Sequence, residues 1–510
     1  MFKGPASGGP AVLLTTINAK WIHPSLALRL LKANLGSLEG DCEILEFALR
    51  QPLAEKLGAI QSRRPKILGI SLSIWNHSPT LELLKALDGA WGEPAQRRPL
   101  VVLGGPEASY LPAEAEIFRY ADYVIRGEGE EAFRKLCETL LDGAEGHGAV
   151  QFINGAQADP GRIRQAYHYY SDEDLARKMV YVESVRGCPF RCGFCQSAAA
   201  GAVREFPLAS FLSEMDTLIK RGARNFKFLD RSFNADTGRA LEIMDFFLRH
   251  IEAGPRTDLC VHFEMFPGFF PPALREKLRR FPAGSLRLEI GIQTLNPQAA
   301  ALVNRPVGGC PVGGTAGSGI SAYGSSGEGA AALEILRFLH EETRATVHAD
   351  LIAALPGENI DSFAEGFDRL WLALSGPAVQ GAADTGNIPA GRGGHVEIQL
   401  GILKVLPGTP LAQHSAAWGI RYAPAPPYEA LSTAALPGAD LDRIKNFARF
   451  WELLINRRPF PELPIIAPGK PVFRRFMDLS GRLLARFGRN WGIDRQELRA
   501  AVVEMTQGPL

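Results

Sequence analysis

Cysteine is scarce in this 510-residue chain: seven residues, three of them within eight positions. That number and clustering exclude a disulfide framework and point to a reducing compartment, the cytoplasm. Net charge is equally slight, +1 from 56 basic and 55 acidic residues, which leaves no broad nucleic-acid-binding face. No apolar run reaches the ~20 residues that span a bilayer, so no membrane span is expected. Residues 1–10 are rich in Gly and Pro and lack the apolar core of a signal peptide. What is plentiful is apolar material, 46% of the chain, enough for two or three cored domains.

Three of the cysteines stand in Cys188-Pro-Phe-Arg-Cys192-Gly-Phe-Cys195, a C-x3-C-x2-C run directly behind the apolar stretch Met179–Val185. Composition alone gives two more cysteines at these offsets with odds of roughly 10⁻³. Three thiolates so spaced can reach one soft metal centre, but they are one ligand short of a closed tetrahedral site. A centre left open can take a substrate or a cofactor. The plain alternative is zinc, completed by the distant Cys260 or His262.

Around this run the periodicity predicts an α/β protein. Residues 11–141 alternate apolar strands (Ala11–Thr16, Cys42–Phe47, Ile67–Leu72, Leu100–Leu103, Tyr123–Ile125) with helices at Pro24–Leu35, Thr80–Leu87 and Glu130–Leu141. Pro24 suits a first helical turn. The alternation implies a doubly wound parallel sheet whose binding edge lies at the strand C-termini. Residues there are Thr15, Thr16, Ser71, Ser73, Gly104, Gly105, Gly127 and Glu128, small or glycine-rich enough for a large ligand to approach the backbone. Residues 142–172 read as a linker. Residues 173–410 resume the rhythm, with strands at Met179–Val185, Asn225–Leu229, Val261–Phe266, Ser285–Gln293, Thr346–Ile352 and Val396–Leu403. Two Gly/Ala/Ser-rich stretches near 308–329 and 376–394 read as flexible surface insertions, with Cys310 a free thiol. From 411 to 510 the pattern is mainly helical. There Ile444, Phe447, Phe450, Trp451 and Leu454 form one stripe, read as helical core.

Phe194, just ahead of the third cysteine, completes C-x3-C-x-Φ-C, and the run resembles the signature of the radical S-adenosylmethionine (SAM) enzymes. The resemblance implies that Cys188, Cys192 and Cys195 hold a [4Fe–4S] cluster, with Phe194 beside it and SAM on the fourth iron. It also implies a partial (β/α)6 barrel over 173–410. Phe228–Asn234, with Asp230, stands where such enzymes bind the SAM amino group. Glu264 is directed to the same mouth by strand alternation. Leu288-Glu289-Ile290-Gly291-Ile292-Gln293 resembles an E-I-G-x-Q stretch, in which Glu289 and Gln293 would bond SAM and Gly291 would let it approach. His348-Ala-Asp350 through Leu355-Pro356-Gly357-Glu358 resembles H-x-D-L-I-x-G-L-P-G, with Ala354 in place of the family's glycine, and makes Asp350 another SAM contact. Lys404 stands either toward substrate or in solvent.

The order of pieces in residues 11–141, with Gly104-Gly105-Pro106 and Gly127-Glu128-Gly129-Glu130, resembles the cobalamin-binding domain found ahead of many radical SAM cores. The D-x-H-x-x-G cobalt-ligand motif is missing, and His23 and His77 stand in other contexts. Cobalamin is therefore expected between this domain and the barrel mouth, base-off, with no histidine on cobalt; a degenerate domain that binds nothing stays open. Gly105→Val is expected to block it sterically. Asn456-Arg-Arg-Pro-Phe460 resembles a turn in an uncharacterised helical C-terminal module of the same branch.

The implied function is reductive cleavage of SAM to a 5′-deoxyadenosyl radical and cobalamin-dependent C-methyl transfer to a small-molecule or biosynthetic substrate. A low-potential donor such as flavodoxin or ferredoxin would supply the electron. Two alternatives remain: a radical SAM oxidoreductase or cyclase that transfers no methyl, and a non-enzymatic redox or cobalamin-binding protein.

Overall fold

A computed structural model of the chain describes residues 9–91, 98–143, 148–199, 201–253, 258–306, 328–375, 395–463, 465–467 and 469–506. The two insertions, apart from Glu328 and Gly329 at the start of a helix, lie outside the described residues, as does Cys310. The chain divides into two compact units. One comprises residues 1–186, 203–229 and 425–427; the other comprises 187–202, 230–424 and 428–510. Among the described residues no helix is long and apolar enough to cross a membrane.

In the first unit, β1 (Val12–Asn18), β2 (Cys42–Ala48), β3 (Ile67–Ser71), β4 (Leu100–Gly104), β5 (Tyr123–Gly127) and β6 (Gln151–Gly155) form one parallel sheet in the order β2-β1-β3-β4-β5-β6. Central strand β1 is buried throughout because its alternate residues enter two different cores. Leu13 and Ile17 pack on one face with Leu68, Ile70 and Leu103; Val12 and Leu14 pack on the other with Ile67, Val102 and Phe133. Apolar residues at both parities are what a sheet covered on both faces requires. The strand order reverses between β1 and β3, and in open α/β sheets ligands sit at such a switch point.

The structure departs from the sequence reading in several details, among them an unexpected helix, Leu53–Arg63, between β2 and β3. The first helix runs Leu26–Ala33, with Ser25 rather than Pro24 at its start, because the Ser25 hydroxyl accepts the Leu28 N–H at 3.3 Å. The expected linker contributes β6, which pairs with β5 from Tyr123↔Gln151 to Gly127↔Gly155. As a largely exposed edge strand, Gln-Phe-Ile-Asn-Gly lacks the apolar alternation that marks strands in a sequence.

After β7 (Val180–Val182), a short antiparallel pair of β8 (Val185–Arg186) and β9 (Arg204–Glu205) brackets the cysteine run, and β10 (Asn225–Phe228) lies parallel to β7. The second unit supplies β11 (Cys260–Met265), β12 (Leu286–Gln293), β13 (Thr346–Ala353) and β14 (His395–Ile402), all parallel. The second sheet runs β14-β13-β12-β11-β10-β7. Along β13 burial alternates strictly: Val347, Ala349 and Leu351 are buried, while His348 and Asp350 are only partly so. One face thus carries the apolar core and the other a polar lining.

Beyond the sheet, β15 (Arg421–Tyr422) and β16 (Ala430–Ser432) form a hairpin ahead of helices Gly438–Trp451, Phe473–Phe487 and Arg495–Met505. The aromatic stripe is core, as expected. The Phe447 and Trp451 rings stack at 5.6 Å, with Phe367 edge-on to Trp451 at 4.8 Å. Helix Gly438–Trp451 continues as a π-helical turn, Glu452–Asn456, that brings the Asn456 amide to donate to the Ile398 carbonyl at 3.0 Å. Edge strand β14 thereby has one of its open carbonyls capped.

Candidate functional site

The cysteine run is clamped residue by residue to the segment behind helix Pro297–Leu302. Gly193 N–H donates to Val303 O at 2.7 Å, and Asn304 Nδ2 donates to Arg191 O at 3.0 Å. Between them Arg305 Nη1 donates to Cys192 Sγ at 3.5 Å. Leu411 N–H bonds Gly193 O at 2.9 Å and Gln196 Nε2 bonds Pro407 O at 3.0 Å from the far side. The three cysteines share a pocket with Phe190, Phe194, Phe266 and Phe269, and the Phe190 and Phe266 rings lie 4.2 Å apart.

Cys192 is the buried member, 5% exposed, and burial pushes its thiol up, with Arg305 opposing. Cys188 Sγ lies 3.6 Å from the Ser232 hydroxyl. Three soft donors among phenylalanine rings, with Cys192 buried and Cys188 and Cys195 partly so, fit an iron–sulfur cluster. Among the described residues no three His, Cys, Asp or Glu side chains converge on a single ion. Cys260 begins β11 while Phe266, which packs with the cysteines, follows its end, placing Cys260 ~20 Å along the strand from Phe266 at ~3.3 Å per residue. The alternative of zinc completed by Cys260 has no geometry here.

The strand ends bring most of the predicted contacts together. Glu264 and Glu289 are register partners on β11 and β12, as are Gly291 and Asp350 on β12 and β13. Arg231 Nη1 lies 3.4 Å from Glu264 Oε2, so the arginine beside Asp230 meets an acid on the next strand. Asp230 is only 1% exposed, which turns it inward. Gly291 serves its own neighbours first, since a Cβ there would run into the Gln293 amide and come within 3.5 Å of Arg305 Nη2. Gln293 itself takes a left-handed φ of 70°, which folds its side chain back over Gly291. Lys404 is exposed and pairs by backbone with Glu429.

A second polar layer, absent from the sequence reading, lies one step toward the strand starts. His262 Nε2 is 3.5 Å from Glu289, and His348 Nδ1 is 3.7 Å from Glu397 and touches Gln399. Burial keeps His348 below the usual histidine range, although Glu397 opposes it. Alternation along β11 and β13 would have shown these two histidines on the same face as Glu264 and Asp350.

Glu358 is a further residue that pattern alone did not mark. It is 2% exposed and accepts the Thr294 hydroxyl at 2.8 Å, tying the loops after β12 and β13 together. Burial, opposed by that hydrogen bond, pushes its carboxyl up to about 7. Because an unfolded glutamate titrates near ~4.3, the fold favours the protonated form, and this stability is full below that pH. It is lost as pH rises through 7, a difference of about 3 kcal/mol. Glu358→Gln is therefore expected to flatten the fall in melting temperature between pH 5 and 8. Parallel profiles for the variant and the parent would refute this.

At the switch point of the first sheet, the predicted hydroxyls largely bond within the fold. Thr15 Oγ1 donates to Leu45 O at 2.6 Å and Thr16 Oγ1 to Ser71 O at 2.9 Å. Buried Asn76, missed in the sequence, organises the loop: its amide donates to Thr16 Oγ1 and Ile17 O, each at 3.1 Å, and accepts Ser73 N–H at 2.7 Å. An Asn three residues after Ser is the signal that could have found it.

Gly105 has φ 101° and ψ 176°, a region open only to glycine, and a Cβ would meet Leu72 O at 2.6 Å. The fold itself needs this glycine, so a side chain at Gly105 would act through the backbone as well as on any ligand. At Gly104 a Cβ would meet only Ile125 O, at 3.7 Å, so the fold leaves space beside this glycine. Gly127 is fixed by β6, its Cβ falling 2.9 Å from Gly155 O.

The Glu128 carboxylate is taken up by Arg204, by Arg186 at 3.1 Å and by Ala158 N–H at 2.8 Å. Burial would raise its pKa, but these partners hold it below the usual carboxylate range. His23 bonds the Tyr181 hydroxyl at 3.0 Å and His77 the buried Glu107 at 2.9 Å. Beside them Trp21 and Trp75, directly behind β1 and β3, stand 51% and 52% exposed.

Comparison with known proteins follows this division. Residues 12–137 match the B12 binding domain and residues 182–370 the radical SAM superfamily. Over 196 residues the chain is 27% identical to the 2-(S-pantetheinyl)-carbapenam-3-carboxylate methyltransferase of Streptantibioticus cattleyicolor, covering 33% of this chain and 28% of that protein. The cobalamin-dependent radical SAM methyltransferase TokK of Streptomyces tokunonensis is 26% identical over 195 residues, again 33% of this chain and 28% of the relative. The chain thus matches under a third of the length of these curated relatives. Among solved structures, its fold resembles the cobalamin-dependent SAM radical enzyme OxsB with aqua-cobalamin bound, at TM-score 0.64 and 14% identity over 97% of this chain and 75% of that one. It also resembles the radical SAM methyltransferase TsrM of Kitasatospora setae with cobalamin and a [4Fe–4S] cluster bound, at TM-score 0.54 and 16% identity over 82% and 78%.

Proposed function

Because this chain belongs to the radical SAM superfamily and carries a B12-binding domain ahead of that core, we propose that it is a cobalamin-dependent radical SAM methyltransferase acting on carbon of a small molecule. The observation that carries the reading is the gathering of Cys188, Cys192 and Cys195 in one aromatic pocket beside Phe266, at the end of the strand that bears Glu264. When bound, the cluster supplies the electron that cleaves SAM to a 5′-deoxyadenosyl radical, and cobalamin supplies the methyl group.

The protein's part is placement. Glu264, Glu289, Gln293 and Asp350 offer acceptors for the SAM ammonium and hydroxyls, while Phe190, Phe194 and Phe266 exclude water from the cysteines. Gly104 leaves space for the corrin edge, and Trp21 and Trp75 offer flat apolar faces to it. Cytoplasmic residence and a flavodoxin- or ferredoxin-type donor complete the proposal.

The absorption spectrum of the anaerobically reconstituted protein tests the cobalamin half. The base-off form is expected, unchanged by His23→Ala and by His77→Gln, the latter keeping a donor for buried Glu107. No cobalamin uptake under reducing conditions would remove the methyltransferase reading.

A further inference from the structure

We infer that Arg305 sets the reduction potential of the cluster, acting on the Cys192 ligand as an N–H···S donor and fixed positive charge; this rests on the proposed cluster assignment. Arg305 is held on four sides. Its backbone N–H bonds Ala300 O at 2.8 Å, Nη2 donates to Gly291 O, the guanidinium lies 5.2 Å over the Phe266 ring, and Nη1 reaches Cys192 Sγ at 3.5 Å. A side chain so fixed cannot swing away, so its charge is a permanent feature of the sulfur's surroundings. Cys192 is also the buried cysteine, where water screens that charge least.

The electron balance gives the sign. Three thiolates on [4Fe–4S]2+ carry a total charge of −1, and one electron from a low-potential carrier makes it −2, with no proton taken up. A cation at a ligand sulfur stabilises the −2 state more than the −1 state, so it raises the potential, and hydrogen bonds to the sulfurs act in the same direction. A purely mechanical role does not call for a charge here. Val303 and Asn304 already hold the neighbouring Gly193 and Arg191 through neutral hydrogen bonds. Arg305 alone of the three addresses the sulfur. It also links that sulfur to Gly291 on β12, the strand of Glu289 and Gln293, so the cluster ligand and the SAM-side strand share one cation.

The test is a redox titration of the reconstituted protein, followed by the EPR signal of the reduced cluster, for the parent chain and for Arg305→Gln, Arg305→Met and Arg305→Lys. Expected for the Gln and Met variants is near-parental iron with at least a tenfold lower equilibrium constant for cluster reduction, ~59 mV more negative for a one-electron couple. The Lys variant should recover part of the shift. An unmoved midpoint in an iron-replete Gln or Met variant overturns the inference. Loss of iron from both neutral variants, with iron kept in Lys, also overturns it, since the arginine would then build the site rather than tune it. A parent chain that takes up no cluster counts instead against the cysteine assignment.

Discussion

Replacing any one of Cys188, Cys192 and Cys195 by Ala is expected to remove the cluster and, with it, all reductive cleavage of SAM. In the proposed assignment each thiolate is one of three protein ligands, and an open site that loses a third of its donors has no spare coordination from which to recover. Among the described residues the neighbours are phenylalanines, Arg305 at Cys192, Ser232 at Cys188 and the Arg231 charge near Cys195, none of which replaces a thiolate. The loss should be complete at each of the three positions. Iron analysis and the 5′-deoxyadenosine yield measure it. Parental iron in the triple variant would refute the ligand assignment.

The second large effect is expected at Gly105. Gly105→Val places a side chain 2.6 Å from Leu72 O in a backbone region closed to L-residues, and strain and overlap together cost on the order of 4 kcal/mol. The melting temperature should fall, and cobalamin uptake should be lost as a consequence of the damaged fold. At Gly104, one residue earlier, a Cβ meets only Ile125 O at 3.7 Å, so Gly104→Val should cost far less stability than Gly105→Val while lowering cobalamin uptake. Equal stability of the two variants would contradict the assignment of Gly105 to the fold, and undiminished uptake by Gly104→Val would contradict the placement of the corrin edge.

The cysteine run and the parallel strands were legible because their signals are local: three offsets in eight residues, and apolar runs of strand length bounded by turns. The roles of the glycines were only half legible. Sequence shows that Gly104, Gly105 and Gly127 stand at strand ends, but not that the second answers to Leu72 and the third to Gly155, 28 positions downstream. Glu128 misled for a similar reason, because its partners Arg186 and Arg204 come from a distant hairpin and no periodicity relates them. Arg305 was invisible, being 113 residues from Cys192 in sequence and brought to it by the folding of β12 and the following helix. Local pattern thus marked the candidate site, while the charges around it depend on tertiary contacts.

The most direct measurement is mass spectrometry of the SAM products after anaerobic reconstitution with iron, sulfide and cobalamin and reduction by a low-potential donor. The predicted result is 5′-deoxyadenosine that depends on Cys188, Cys192 and Cys195, joined by S-adenosylhomocysteine when cobalamin is present. Intact SAM after reduction of a chain that holds its full complement of iron would contradict the account.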